Sequence, residues 1–174
     1  EAIDRGITLT VSSEELLSAI RRSAKGGKNR ARVHIKIDTG MGRLGVWHEE
    51  AEPLYRKLLE MPRLKVEGLF THLSSAAQAP KATEDQLKYF RRLVHKLKRA
   101  GLPVGIRHAA NSVGLLKFPD SRLDLVRTGL LIYGISPIKE GQPLDLRPAL
   151  SLKSRVRFLK TVQPGRTVSY GGTW

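Results

Sequence analysis

Val33-His-Ile-Lys-Ile-Asp-Thr-Gly-Met-Gly-Arg-Leu-Gly45 is the stretch on which the fold turns. Its first six residues alternate without a break. Val33, Ile35 and Ile37 fall on one face, and His34, Lys36 and Asp38 on the other. A strand of an α/β barrel has this pattern, with one face packed on helices and the other pointing inward. Gly40, Gly42 and Gly45 follow, so the strand feeds a turn in which the backbone bends sharply.

Helices and short β-rich runs alternate on both sides of it. Upstream, Ile7–Val11 reads as a strand. Ser12 to Glu15 reads as a capping box for a helix whose apolar face is Leu16, Leu17 and Ile20, ended by Gly26-Gly27. Downstream, a helix is expected at about 48–60 and a strand at Val66–His72. A long basic helix runs from Thr83 to Arg99, capped by Thr83 and Gln86 and lined by Leu87, Phe90, Val94 and Leu97. Two short strands follow, Gly105–Ala109 and Leu123–Arg127. Such alternation predicts parallel strands joined by crossover helices. The fold class is α/β: a partial TIM-type (β/α)8 barrel, roughly its second half.

The last stretch differs. Leu150–Val162 alternates over a length too great for a barrel strand. Pro164-Gly165 turns the chain, and Thr167–Tyr170 is extended again. This is a β-hairpin signature, and it predicts the start of a C-terminal all-β domain. Pro137, Gly141, Pro143 and Pro148 mark the linker. The expected division is 1–139 for the barrel part and 140–174 for the β-domain.

Composition narrows the function classes. The 174 residues suffice for one sizeable core. No run of about 18 apolar residues is present, so no membrane span is expected. Glu1-Ala-Ile-Asp4 does not resemble a secretory leader. The absence of cysteine excludes disulfides and thiolate metal sites and fits a reducing cytoplasm. No metal centre is expected. The net charge of +15 raises the question of a polyanionic partner. The basic residues are dispersed, in pairs such as Arg21-Arg22, Arg91-Arg92 and Lys98-Arg99. A solvated basic surface accounts for them better than a nucleic-acid site.

Barrel chemistry sits at the carboxyl ends of the strands. Those ends carry Asp38 to Arg43, His72, Asn111-Ser112 and Arg127. Each has a plain structural reading, as a satisfied histidine or an ion pair, beside a functional one. Gly129, just after a strand, is either a turn glycine or a place where a phosphate meets the main chain, with the Ser112 hydroxyl nearby. The residues alone leave both open.

Four segments resemble one family. His34–Gly45 is similar to the alanine racemase strand K-x-D-T-G-M-x-R-x-G. His108–Ser112 is similar to its H-x-x-N-S loop. Leu125–Gly134 resembles V-R-P-G-x-x-x-Y-G, with Thr128 where proline is common. Thr167–Gly171 resembles V-S-Y-G. All four occur in the family's order and span the chain.

The resemblance implies pyridoxal 5'-phosphate as cofactor, alanine as substrate and a homodimer whose active site is shared between subunits. It implies Lys36 as a carbamylated lysine that holds Arg43, and Arg43 as a donor to the cofactor's phenolic oxygen and to the substrate carboxylate. For Lys36, an ion pair with Asp38 is the plain alternative. His72 would stand near the cofactor ring, joined to Arg127. Arg127 would donate to the ring nitrogen, with His108 supporting it. Asn111, Ser112, Gly129 and Leu130 would meet the phosphate or its surroundings. Tyr170 would be one of two acid/base groups, linked to His72 and Arg127.

The 174 residues contain no match to the family's V-K-A-x-A-Y-G-H-G segment, which carries its Schiff-base lysine. The chain is therefore expected to be an internal fragment, inactive alone. Competing readings are a racemase of serine or basic amino acids, a non-catalytic barrel that binds the same cofactor, and a nucleic-acid binder. The hairpin argues against the second.

Overall fold

The computed structural model describes residues 1–25, 29–138 and 144–172. The Gly26-Gly27 helix stop, the linker marks Gly141 and Pro143, and the boundary at 139/140 lie outside the described residues.

β2 (Ala31–Asp38) is the axis of the sheet. β1 (Leu9–Val11) pairs with it on one edge and β4 (Leu64–Phe70) on the other, and β5 (Ile106–His108) pairs with β4. Every pairing is parallel. A two-residue strand, β3 (Val46–Trp47), also pairs parallel to the end of β2, Ile37 against Val46. The connections are helices, α1 (Glu14–Ala24), α2 (Ala51–Leu59) and α3 (Pro80–Arg99). This is the expected arrangement of parallel strands with crossover helices.

The alternation in β2 sorts its side chains as predicted. Val33, Ile35 and Ile37 are fully buried in one cluster with Leu17 and Ile20 of α1, Tyr55 and Leu58 of α2, and Phe90, Val94 and Leu97 of α3. Burial of each large aliphatic side chain is worth roughly 1.5–3 kcal/mol, so this face holds the layer together. His34, Lys36 and Asp38 face the other way.

Local details differ from expectation in instructive ways. Ser13, not Ser12, caps α1, accepting from the Leu16 N–H at 3.2 Å. Of two adjacent hydroxyls, the backbone geometry selects the one whose oxygen reaches the third residue on. α3 starts at Pro80, before Thr83, because proline needs no N–H partner in the first turn. Thr83 then donates to the Ala79 carbonyl inside the helix. Gln86 is no cap. It is buried and straps three segments together. Its Nε2 donates to the Thr39 hydroxyl and the His72 carbonyl, and its Oε1 accepts from the N–H and hydroxyl of Ser74. The expected strand Leu123–Arg127 shrinks to one parallel bridge, His108 to Leu125.

The hairpin does not form. No strand is found in 150–162, and Leu150, Leu152, Val156 and Phe158 are exposed. The Pro164-Gly165 turn is present, closed by an Arg166 N–H to Gln163 bond of 3.2 Å, but extended arms do not pair across it. Tyr170–Gly172 forms a single 3-10 turn instead of a strand. Among the described residues no helix is long and apolar enough to cross a membrane.

Candidate active site

The polar face of β2 opens onto a hollow of about 430 Å³, whose lining includes His34, Glu67, Phe70, His108, Leu125 and Arg127. Beside Arg32, its other cation is Arg127. The main chain places it there: the Arg127 N–H donates to the Ala110 carbonyl at 3.0 Å, beside the end of β5. One guanidinium nitrogen donates to the Thr71 carbonyl at 2.7 Å, lies 3.4 Å from the Ala109 carbonyl, and lies 3.5 Å from Nδ1 of His72. The other donates to Nδ1 of His108. The guanidinium carbon lies 5.0 Å from the centre of the Phe70 ring. No carboxylate pairs with Arg127 among the described residues, and its Nε has no partner there.

Arginine can only donate, so His108 accepts at Nδ1 and must be neutral with its proton on Nε2. The surroundings agree. Burial, then the charges of Arg127 and His34, pull the His108 pKa down to about 3. Burial, followed by Arg127, Arg43 and Lys36, also lowers that of His72. Both imidazoles are therefore uncharged bases at neutral pH, and the site's positive charge rests on arginine and lysine.

Lys36 is 4% exposed. Its ammonium donates to the Ile37 carbonyl at 2.9 Å and lies 5.8 Å from the Phe70 ring centre. Burial pulls its pKa down to about 8; Asp38 opposes the shift, and Arg127 and Arg43 add to it. Lys36 and Asp38 form no ion pair within bonding distance. The Asp38 carboxylate is instead spent on the turn, accepting from the N–H groups of Gly40, Met41 and Gly42 at 2.8–2.9 Å. Burial pushes its pKa up, but these donors and Lys36 outweigh it, and the net shift is downward. Gly45 closes this turn against β2 at a φ of +115°. A Cβ there would stand 2.9 Å from both the Asp38 nitrogen and the Lys36 carbonyl oxygen.

Asn111 caps α4 (Ser112–Lys117), accepting from the Gly114 N–H at 2.9 Å and donating to the Leu73 carbonyl at 3.2 Å. Ser112 is buried in the first turn. Gly129 and Leu130 begin α5 (Gly129–Ile132), which packs beside α4, and a Cβ at Gly129 would meet open space. Asn111, Ser112, Gly129 and Leu130 do not line the hollow, and neither do Lys36, Arg43 or His72; of the expected residues, His108 and Arg127 do.

Two expected residues stand apart. Arg43 is exposed on the turn after β2, without a hydrogen-bond partner among the described residues. Tyr170 is 99% exposed, and the link to His72 and Arg127 is not made within one chain. Three residues were given no role in the sequence: His34, Phe70 and Thr71. His34 carried a signal, since the alternation already set it on the Lys36 face. Phe70 stacks on His108 at 4.7 Å and 5°, which no pattern foretold.

The chain resembles known proteins over its whole length. The family described as alanine racemase, N-terminal domain, matches residues 1–137. The alanine racemase of Desulfosudis oleivorans is 40% identical across all of this chain and 48% of its own length. That of Desulforamulus reducens is 38% identical over the same shares. Among solved structures, alanine racemase from the D-cycloserine-producing Streptomyces lavendulae superposes with a TM-score of 0.91 at 35% identity, over 99% of this chain and 47% of that one. Alanine racemase of Clostridium difficile 630 gives 0.87 at 36% identity, over 99% and 46%. The chain thus spans about half the length of the relatives it matches. With the family model covering the sheet, the turn after β2 and Arg127, this chain belongs to the alanine racemase N-terminal domain family.

Proposed function

We propose that this chain forms the cofactor-holding part of a pyridoxal 5'-phosphate-dependent alanine racemase, a cytoplasmic homodimer that interconverts L- and D-alanine and supplies D-alanine for peptidoglycan. The observation that carries the reading is Arg127: a half-buried guanidinium with no carboxylate partner among the described residues, braced by neutral acceptors, with its Nε unspent. That donor set suits a neutral aromatic nitrogen, which would not survive as a base beside a titratable acid. Open main chain at Gly129 and the buried hydroxyl of Ser112, with Asn111 and Leu130 beside them, suit the phosphate. Tyr170 and the apolar residues before it belong, on this reading, to the start of a β-domain in 140–174.

When bound, the cofactor supplies an electron sink for the α-carbanion of alanine. Arg127 tunes that sink. Burial lowers the Arg127 pKa, but a guanidinium still keeps its proton near neutrality, so it would hydrogen-bond the ring nitrogen without protonating it. Held in this way, the cofactor would be a weaker electron sink, which would suit racemisation better than transamination. His72 and His108 hold the guanidinium without adding charge. Lys36 has the requirements for carbamate formation: burial, a substantial share of neutral amine near pH 8, and two arginines that favour an anion. As a carbamate it would hold Arg43, leaving Arg43 to meet the phenolic oxygen and the substrate carboxylate. Tyr170, exposed on its own chain, is available to a second copy, where it would move a proton at the α-carbon. A phenol ionises near pH 10, so it needs a cation or hydrogen bond to act as a base at neutral pH.

The test is D-alanine formation from L-alanine by the intact protein with pyridoxal phosphate. L-serine, L-lysine and L-arginine serve as competing substrates, and Arg127→Leu as the control. Turnover of alanine above the others, lost in the variant, is expected. Preference for serine or a basic amino acid would overturn the substrate, and absence of cofactor binding would overturn the reading as a whole.

A further inference from the structure

His34 lies on the cofactor-facing side of β2 without a place in the chemistry above. Its Nδ1 stands 2.8 Å from Nε2 of His108. Three features put it there. The register between β2 and β4 slips between Val33 and His34: Val33 faces Val66, but His34 faces Gly68, so Glu67 is passed over. Such bulges re-aim a side chain and are uncommon between parallel strands. Gly68 then makes room. A Cβ on it would stand 2.9 Å from the His34 ring and 2.2 Å from the Ile106 carbonyl oxygen. Finally, Phe70 stacks flat on His108, which fixes the plane of the imidazole that His34 meets.

The direction of the bond follows from Arg127. Because the guanidinium donates to Nδ1 of His108, the proton of the neutral His108 sits on Nε2, and that N–H has to find an acceptor. Nδ1 of His34 is the atom within reach, so the proton of His34 lies on its own Nε2. Reversing the bond would leave both nitrogens of His108 bare. A cationic His108 would set N–H against N–H at Arg127.

We infer that His34 is a positioning residue for Arg127. It accepts the Nε2–H of His108 and so holds that ring, and with it the guanidinium, in the orientation that presents the free Nε to the ligand. Its role toward the cofactor rests on the racemase reading; the relay itself does not.

Imidazole 15N NMR of the intact, cofactor-free protein tests the relay. The expected result is a solvent-protected proton on Nε2 of His108, scalar-coupled across the hydrogen bond to Nδ1 of His34. In His34→Leu this proton exchanges with solvent, and pyridoxal phosphate binding, followed by fluorescence, weakens about fivefold to tenfold. His34→Asn, whose Oδ1 stands in for Nδ1, restores both within about twofold, which a loss of packing alone would not allow. A His108 proton on Nδ1, or no coupling to His34, overturns the relay and leaves the racemase reading intact. Unchanged cofactor affinity in His34→Leu overturns the positioning role. Intact relay signals in a wild-type protein that binds no pyridoxal phosphate overturn the racemase reading, and with it His34's role toward the cofactor. Should His34→Leu fail to fold, the wild-type spectrum and His34→Asn still decide.

Discussion

Residues 31–38 and 150–162 carry the same alternating pattern, yet only the first is a strand. Val33, Ile35 and Ile37 are fully buried, whereas Leu152 is 98% exposed and Phe158 78%. The intrinsic preferences of the two segments differ little. Their surroundings differ: β2 has β1, β3 and β4 to accept its hydrogen bonds and three helices to cover one face, and 150–162 has neither. A period of two states which side chains could share a face. It does not supply the neighbouring strand or the apolar surface that makes the extended state worth its entropy.

The widest contrast should appear when equivalent large-to-small changes are made in both segments. Ile35→Ala is expected to cost about 2–5 kcal/mol in denaturant unfolding. Leu152→Ala in the same chain should cost under about 0.5 kcal/mol, since no partner loses contact. Similar costs at the two positions would mean that 150–162 packs in solution.

Lys36 sharpens the contrast within β2 itself, between its apolar and polar faces. Its folded pKa of about 8 lies below the ordinary 10.5, so the folded chain binds fewer protons than the unfolded one between those values. Stability then rises with pH across that window. In CO2-free buffer, Lys36→Met should exceed wild type by up to about 3 kcal/mol at pH 7, with the gap closing above pH 10. A gap that stays constant across pH 7 to 11 would mean that Lys36 is not desolvated.

A smaller loss is expected from Gly45→Ala, about 1–3 kcal/mol, because the new Cβ meets main-chain atoms at a φ that side chains avoid. Cofactor affinity should fall with it, as the turn bearing Arg43 shifts. Asp38→Asn gives the smallest change. It keeps one acceptor oxygen where three N–H groups need two, at about 1 kcal/mol near neutrality. Asp38 has a lowered pKa, so its contribution is present above about pH 4 and lost as pH falls below its ordinary 3.8. Thermal melts of the pair should therefore converge in acid; divergence there would contradict the turn's dependence on the carboxylate.

Much of the candidate site was legible because chemistry and geometry share the same short segments. Lys36 and Asp38 follow from alternation. His72, Asn111, Ser112 and Arg127 follow from the rule that polar strand ends carry function. What stayed hidden depends on distance along the chain. Gln86 looked like a helix cap, because its strap to Thr39, Ser74 and His72 exists only once α3 lies over two strand ends. His34 had a face but no partner until the slip opposite Gly68 turned it toward a residue 74 positions away.

The sequence alone determined the strand–helix alternation from β1 to β5 apart from the short β3, the buried face of β2 and the residues able to hold an anion or a proton, because periodicity and side-chain chemistry are local properties. Only the tertiary structure decided which alternating segment became a strand, which oxygens Asp38 committed to the turn, and how Arg127, His108 and His34 line up. Those outcomes depend on hydrogen-bond partners and on desolvation, and both are set by residues far away in the chain.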